Sequence, residues 1–272
     1  MIIRFLLLLT ISFQHGYVGA LSATTKLLTP SSSISPNSRF FLDTAVEAEW
    51  DELLPLGIFH GVTTNPTLLE RANHPCTISH VKSLAETALS HSNCNEFMCQ
   101  AWGLTADKMY KVGMELATIE GKPSKNIVIK VPVTFEGTKA ASMLIGSGVR
   151  VCLTACYASH QALVAANVGA EYLAPYLGRM NDAGKDGESE ILKMQQIVES
   201  FGSRYSDGAN RTRIFVASIR NVESMVELAS KGLDTFTFSP DIARALFMEP
   251  LTQTATEDFE LAASKGKEDV EV

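Results

Sequence analysis

The most informative residue of the chain is a lysine inside an otherwise apolar run, Ile127-Val128-Ile129-Lys130-Val131-Pro132. Side chains alternate between the two faces of a strand, so Val128 and Lys130 share one face. If that face points into protein, Lys130 is largely desolvated and its ammonium form is disfavoured. A neutral amine attacks a ketone and forms a Schiff base. The alternative is a lysine that snorkels out at a strand end. Asp43 closes the run Arg39-Phe40-Phe41-Leu42-Asp43. A carboxylate there could take and return a proton at a sugar hydroxyl, or form a structural salt bridge or cap. Thr154 and Gln100 could hold a water by hydrogen bonds, or serve structure alone. Arg179, Ser218 and Arg220 suit an oxyanion, because the planar guanidinium fork binds one in bidentate fashion; a surface arginine is the common alternative.

These residues need elements that bring them together. Short β-rich runs alternate with helical stretches from Arg39 onward. The pattern predicts strands at 39–43, 60–63, 96–100, 126–131, 149–154, 171–176, 214–218 and 234–238. It predicts helices at 47–56, 78–90, 105–119, 135–145, 159–167, 189–201 and 221–231, with a last one from about Thr256 and Thr105 as an N-cap. Eight β/α units argue for an α/β protein, a single (β/α)₈ barrel over residues 39 to 262 with a C-terminal extra helix. A doubly wound open sheet is the competitor, disfavoured by the count of eight and by the lack of a GxGxxG turn after the first strand. In a barrel the active site lies at the C-terminal strand ends. Here those ends carry Asp43, Thr63-Thr64-Asn65, Gln100, Lys130, Thr154, Tyr176 with Arg179, Ser218 with Arg220, and Ser239. The polar stretch Asn181 to Glu190 reads as a long loop that could close over the site, or as a simple solvated connection.

Composition narrows the field further. The chain has 272 residues, 46% hydrophobic and 19% charged, which excludes a disordered protein. Its net charge of −7 and the lack of a basic stripe argue against a nucleic-acid partner. Five cysteines without CxxC spacing and six scattered histidines indicate no disulfide framework, metal site or cofactor. The first acidic residue is Asp43. Residues 1–20 read as a signal peptide, with the apolar run Phe5 to Ile11 and the small residues Val18-Gly19-Ala20. Residues 21–38 are Ser/Thr-rich and resemble a transit peptide. The pair suggests plastid delivery through the secretory pathway; a secreted protein or one of the endomembrane lumen, with a Ser/Thr linker and the sequon Asn210-Arg211-Thr212, is the alternative. Residues 1 to 38 contain Arg4 and Lys26 but no acid, so their removal takes −7 to −9. The run is too short to span a bilayer, and no membrane partner is expected of the mature form. Residues 263–272 read as a flexible tail.

Several motifs resemble one family. Phe41-Leu42-Asp43-Thr44-Ala45, Gly61-Val62-Thr63-Thr64-Asn65-Pro66-Thr67, Ile129-Lys130-Val131-Pro132-Val133-Thr134 with Glu136-Gly137, Ala174-Pro175-Tyr176-Leu177-Gly178-Arg179 and Val216-Ala217-Ser218-Ile219-Arg220-Asn221 occur in order. Together they are similar to the small transaldolase and fructose-6-phosphate aldolase family. The resemblance implies a metal-free class I mechanism on a ketose phosphate. It makes Lys130 the Schiff-base lysine and Asp43 the acid/base. It puts Thr64 and Asn65 on the donor hydroxyls, Thr154 on the catalytic water, and Arg179 and Ser218, with Arg220 beside them, on the phosphate. Gln100 and Tyr176 match the aldolase branch, where transaldolases usually carry Glu and Phe. That favours release of dihydroxyacetone over its transfer, while Gly178 and Asn181-Asp182 resemble transaldolase-like members as much. The resemblance also implies a pentamer or decamer with the last helix on a neighbour. A catalytically silent barrel and a metal-dependent aldolase remain as rivals.

Overall fold

A computed structural model describes residues 38–119, 121–202 and 212–265. The proposed address at 1–37, Asn210 of the sequon and the tail beyond 265 lie outside the described residues. Eight strands form one parallel sheet: β1 (Arg39–Asp43), β2 (Phe59–Thr63), β3 (Glu96–Gln100), β4 (Ile127–Pro132), β5 (Arg150–Cys156), β6 (Tyr172–Pro175), β7 (Arg213–Ile214) and β8 (Thr235–Phe238). Their order is β8-β1-β2-β3-β4-β5-β6-β7. A parallel bridge between Val216 and Phe236 joins the two ends of that order. There the Val216 N–H donates to the Thr235 carbonyl at 3.0 Å, and the Thr237 N–H donates to that of Val216 at 2.9 Å. The architecture is the (β/α)₈ barrel that the eight-unit pattern implies.

Helices cover the outside. They are α1 (Glu47–Leu53), α2 (Pro66–Arg71), α3 (Ile78–Ser90), α4 (Ala106–Ala117), α5 (Phe135–Gly146), α6 (Gln161–Val168), α7 (Leu177–Asp182), α8 (Gly187–Gly202), α9 (Val222–Ser230), α10 (Pro240–Ala245) and α11 (Pro250–Ser264). Thr105 is the N-cap of α4, accepting from the Lys108 N–H. Three short helices, α2, α7 and α10, escape sequence periodicity because six residues hold fewer than two turns. Two helices, α7 and α11, reshape expectations. The stretch 181–190 is no long loop: α7 ends at Asp182 and α8 starts at Gly187, leaving four residues between them. The last helix starts at Pro250, which fixes an N1 turn ahead of the apolar residues that periodicity detects.

Strand alternation sorts the core into two. Leu42, Val62, Phe97, Ile129, Val131, Leu153, Leu173, Val216 and Phe238 pack outward among the helices. Phe41, Met98, Val128, Cys152, Tyr172, Ala174 and Phe215 meet inside the barrel. Phe41 touches Phe215 and Tyr172 edge-on, with centroids 4.9 and 6.3 Å away.

Below that apolar layer, at the N-terminal strand ends, charges are paired. Glu96 is 5% exposed. Its carboxylate receives Arg150 at 2.7 Å, Arg39 at 3.2 Å and the Tyr172 hydroxyl at 2.9 Å, with His60 Nε2 at 3.1 Å. Glu171 is shared by both arginines. Burial alone would raise the Glu96 carboxyl, but the close approach of His60 Nε2 and the charge and hydrogen bond of Arg150 outweigh it and hold it at about 2. A carboxyl lowered from 4.5 contributes stability above pH 4.5 that is lost as pH falls through about 2. The urea midpoint should therefore drop across that acidic window. Glu96→Gln should cost about 3 kcal/mol at neutral pH, since it leaves two arginines under-paired. It should also flatten the acid dependence. An unchanged acid profile in Glu96→Gln would show that other carboxylates carry it.

Candidate active site

At the opposite strand ends the inward side chains are polar. β1 contributes Asp43, β2 Thr63, β3 Gln100, β4 Lys130, β5 Thr154 and β8 Thr237, while Tyr176 follows β6 and Ser218 follows β7. Lys130 is 4% exposed, two positions beyond the interior Val128, so alternation puts it above the apolar layer. Its Nζ donates to the Thr64 carbonyl at 3.4 Å. Among the described residues it forms no ion pair with a carboxylate. Its register partner on β5 is Cys152. Burial pushes that thiol up to about 12, so it stays protonated and does not compete as a nucleophile.

Two hydroxyl pairs flank the lysine. Thr154 Oγ1 and the Tyr176 hydroxyl are 2.9 Å apart. Thr63 Oγ1 donates to Asp43 Oδ1 at 2.5 Å and lies 2.8 Å from Thr237 Oγ1. Thr63 is one of the polar strand ends read from the sequence but carries no assigned role there, and Thr237 is not among them; Thr63 is the register partner of Asp43. Alternation along β8 would have found Thr237. Ser239, the polar end that pattern reading favours, instead caps α10 through the Ile242 N–H.

The other expected residues divide. Asn65 is half-buried and caps α2, its side-chain oxygen accepting from the N–H groups of Thr67 and Leu68. What remains for any bound molecule is its amide NH₂. Thr64 is 1% exposed, and among the described residues its hydroxyl has no hydrogen-bond partner. Gln100 is half-buried beside Lys130 in register. Arg179 is exposed, its guanidinium 5.2 Å from the Tyr176 ring centroid. It forms no salt bridge among the described residues, so its fork is open. Arg220 differs, because it binds Asp182 at 2.9 Å.

Backbone strain collects at this end. Ala155 (φ 56°) and Ser218 (φ 59°) are non-glycine residues in the left-handed region, at a cost of about 1–2 kcal/mol each. Ala155 sits in an irregularity of the β5–β6 register, directly after Thr154. Ser218 turns the chain so that its carbonyl accepts from the Gly178 N–H at 2.9 Å. A Cβ on Gly178 would come within 2.5 Å of that carbonyl and 2.6 Å of Arg220 Nε.

Fold and site together define a (β/α)₈ enzyme whose chemistry-bearing groups surround one buried lysine at the C-terminal strand ends. The chain belongs to the transaldolase/fructose-6-phosphate aldolase family, whose profile matches residues 40–271. It is 34% identical over 223 residues to a "Probable transaldolase" of Parvibaculum lavamentivorans, covering 81% of this chain and 94% of that protein. It is 33% identical to a "Probable transaldolase" of Methanococcus maripaludis, covering 81% and 95%. Among solved structures, thiamine phosphate pyrophosphorylase from Pyrococcus furiosus superposes with a TM-score of 0.51 at 13% identity, covering 77% of this chain and 92% of that one. That last likeness is one of fold. The enzyme is of the aldolase/transaldolase type. Among the described residues no group of three or more His, Cys, Asp or Glu could hold a metal ion, and no helix is long and apolar enough to cross a membrane.

The close approach at Gly178 makes a direct test of this geometry. Gly178→Ala should lower stability by about 1–3 kcal/mol in urea unfolding, because the contact is with backbone that cannot yield. A midpoint equal to wild type would mean that the α7 and β7 ends are not packed as described.

Proposed function

We propose that the protein is a Schiff-base aldolase that reversibly cleaves fructose 6-phosphate to dihydroxyacetone and glyceraldehyde 3-phosphate. The observation that carries this reading is the buried Lys130, free of a carboxylate partner among the described residues, beside the Thr154–Tyr176 hydroxyl pair. Lys130 Nζ adds to the C2 ketone and loses water to give the iminium. Asp43 takes the proton of the C4 hydroxyl, and the C3–C4 bond breaks. Its electrons form the C2–C3 double bond of an enamine and neutralise the nitrogen, and glyceraldehyde 3-phosphate leaves. Protonation at C3 regenerates the iminium, and water releases dihydroxyacetone and the amine. Thr154, Tyr176 and Gln100 are the groups that would hold that water. The Tyr176 hydroxyl supports release, since a phenylalanine could neither donate nor accept a proton there. Arg179 and Ser218 are the phosphate ligands in this reading, and Arg220 a basic neighbour set by Asp182.

A second reading is a transaldolase that passes the dihydroxyacetone unit from fructose 6-phosphate or sedoheptulose 7-phosphate to an aldose phosphate. The name that the curated relatives bear favours it. A homo-oligomer is part of either proposal. It is supported by α11, which has no buried residue and exposes Leu251, Phe259 and Leu261. The acid-free leader supports plastid delivery.

Borohydride reduction in the presence of fructose 6-phosphate should add covalent mass at Lys130, and Lys130→Met should abolish turnover while keeping the thermal midpoint. An adduct on another lysine would overturn the assignment. Product analysis decides between the readings. Dihydroxyacetone formed without an acceptor supports the aldolase. Sedoheptulose 7-phosphate formed only with erythrose 4-phosphate supports the transferase. Tyr176→Phe should lower dihydroxyacetone release about 10²-fold, the scale of a lost general acid/base contribution, and leave transfer less affected.

A further inference from the structure

The hydroxyl of Thr237 has no role in the steps above, yet its position is well defined. Thr237 is 2% exposed and Thr63 is fully buried. Their oxygens are 2.8 Å apart, and that of Thr63 is 2.5 Å from Asp43 Oδ1. A threonine hydroxyl carries one proton, and an ionised carboxylate only accepts. The Thr63 proton is therefore committed to Asp43, and the Thr237 proton to Thr63. The direction of the chain is fixed, from β8 through β2 to β1. Among the described residues Asp43 Oδ2 has no hydrogen-bond partner.

We propose that Thr237 is a positioning residue for the acid/base carboxylate. The Thr237–Thr63 relay holds Oδ1 and thereby makes Oδ2 the oxygen that takes the substrate proton. The proposal rests on the reading of Asp43 as the acid/base. Packing gives no reason for the two hydroxyls, since valine fills the same volume. The strands themselves are already joined by their backbone ladders, in which Asp43 pairs with Thr63 and Phe41 with Thr237. A buried hydroxyl costs free energy unless it is hydrogen-bonded. Here two are buried, and their bonds end on one carboxylate. Each donor in the chain polarises the next, so removing the first weakens the hold of the second on Asp43.

The test compares Thr237→Val, Thr237→Ser, Thr63→Val and Asp43→Asn in the full chain. Thr237→Val should lower kcat for fructose 6-phosphate cleavage about tenfold, the size of one lost hydrogen bond in a charge-linked chain. KM should stay within about twofold, since ground-state binding is untouched. Borohydride trapping at Lys130 should remain at the wild-type level, because that step precedes the use of Asp43. Thr237→Ser should restore kcat, and Thr63→Val should lose more than Thr237→Val. A Thr237→Val enzyme with wild-type kcat would overturn the relay. So would one that loses trapping and thermal stability in step with kcat, or one that serine does not rescue. If Thr237→Val does not fold, Thr237→Ala carries the same expectations. Asp43→Asn with wild-type turnover would overturn the acid/base reading itself. That outcome is distinct from an inactive Asp43→Asn beside a silent Thr237→Val, which would overturn only the relay.

Discussion

Closing a parallel sheet on itself imposes the constraint on which everything else in this molecule depends. Once β8 pairs with β1 and Val216 bridges to Phe236, every second side chain of every strand points at one axis. A side chain there has no route to bulk solvent except at the two ends. Each layer along the axis must therefore satisfy itself. At the N-terminal end this is done with opposite charges, Arg39 and Arg150 against Glu96 and Glu171. In the middle it is done with Phe41, Met98, Val128, Tyr172 and Phe215. At the C-terminal end the layer is polar and hydrogen-bonded only in part, and that incompleteness is what makes chemistry available.

The same constraint sets the reactivity of the groups in that last layer. Cys152 and Lys130 are register neighbours; burial keeps the thiol protonated, and among the described residues the lysine has no carboxylate partner. The glutamate at the base of β3 is kept ionised by the groups around it, and the thiol on β5 is kept neutral by its burial. Position along a strand thus decides protonation state as much as residue type does. The two hydroxyl pairs show a similar economy. Thr154 with Tyr176 lies on one side of the lysine strand, Thr63 with Thr237 on the other, and both pairs are assembled from residues remote in sequence.

How much was legible beforehand follows the same physics. The strand β4 and its lysine stood out because a parallel strand buried on both faces reads as an apolar run, in which one charge is conspicuous. The α3 limits, Ile78 to Ser90, were read correctly since thirteen residues give a clear 3.6 period and Thr77 caps them. Asp43, Gln100, Thr154 and Tyr176 were identified because polar residues at strand ends break the pattern. The shorter helices were not, and with them went the geometry of the 181–190 stretch. A supposed loop there consists of α7, a four-residue turn and the start of α8. Thr237, and any role for Thr63, escaped because threonine is a common strand residue, and its hydroxyl is informative only once its neighbour is known.

The sequence by itself determined the class of fold and the family, and it singled out the lysine of β4 as a candidate. Those depend on local periodicity and on motifs of contiguous residues. It could not determine which of the expected groups are free to act. Asn65 gives its oxygen to a helix cap and Arg220 its guanidinium to Asp182, whereas Arg179 and Asp43 Oδ2 are uncommitted among the described residues. Those outcomes were decided only by tertiary structure, because a hydrogen bond is a relation between two positions. The partners here lie 38 residues apart for Arg220 and Asp182, and 174 apart for Thr63 and Thr237. No reading of one segment contains both.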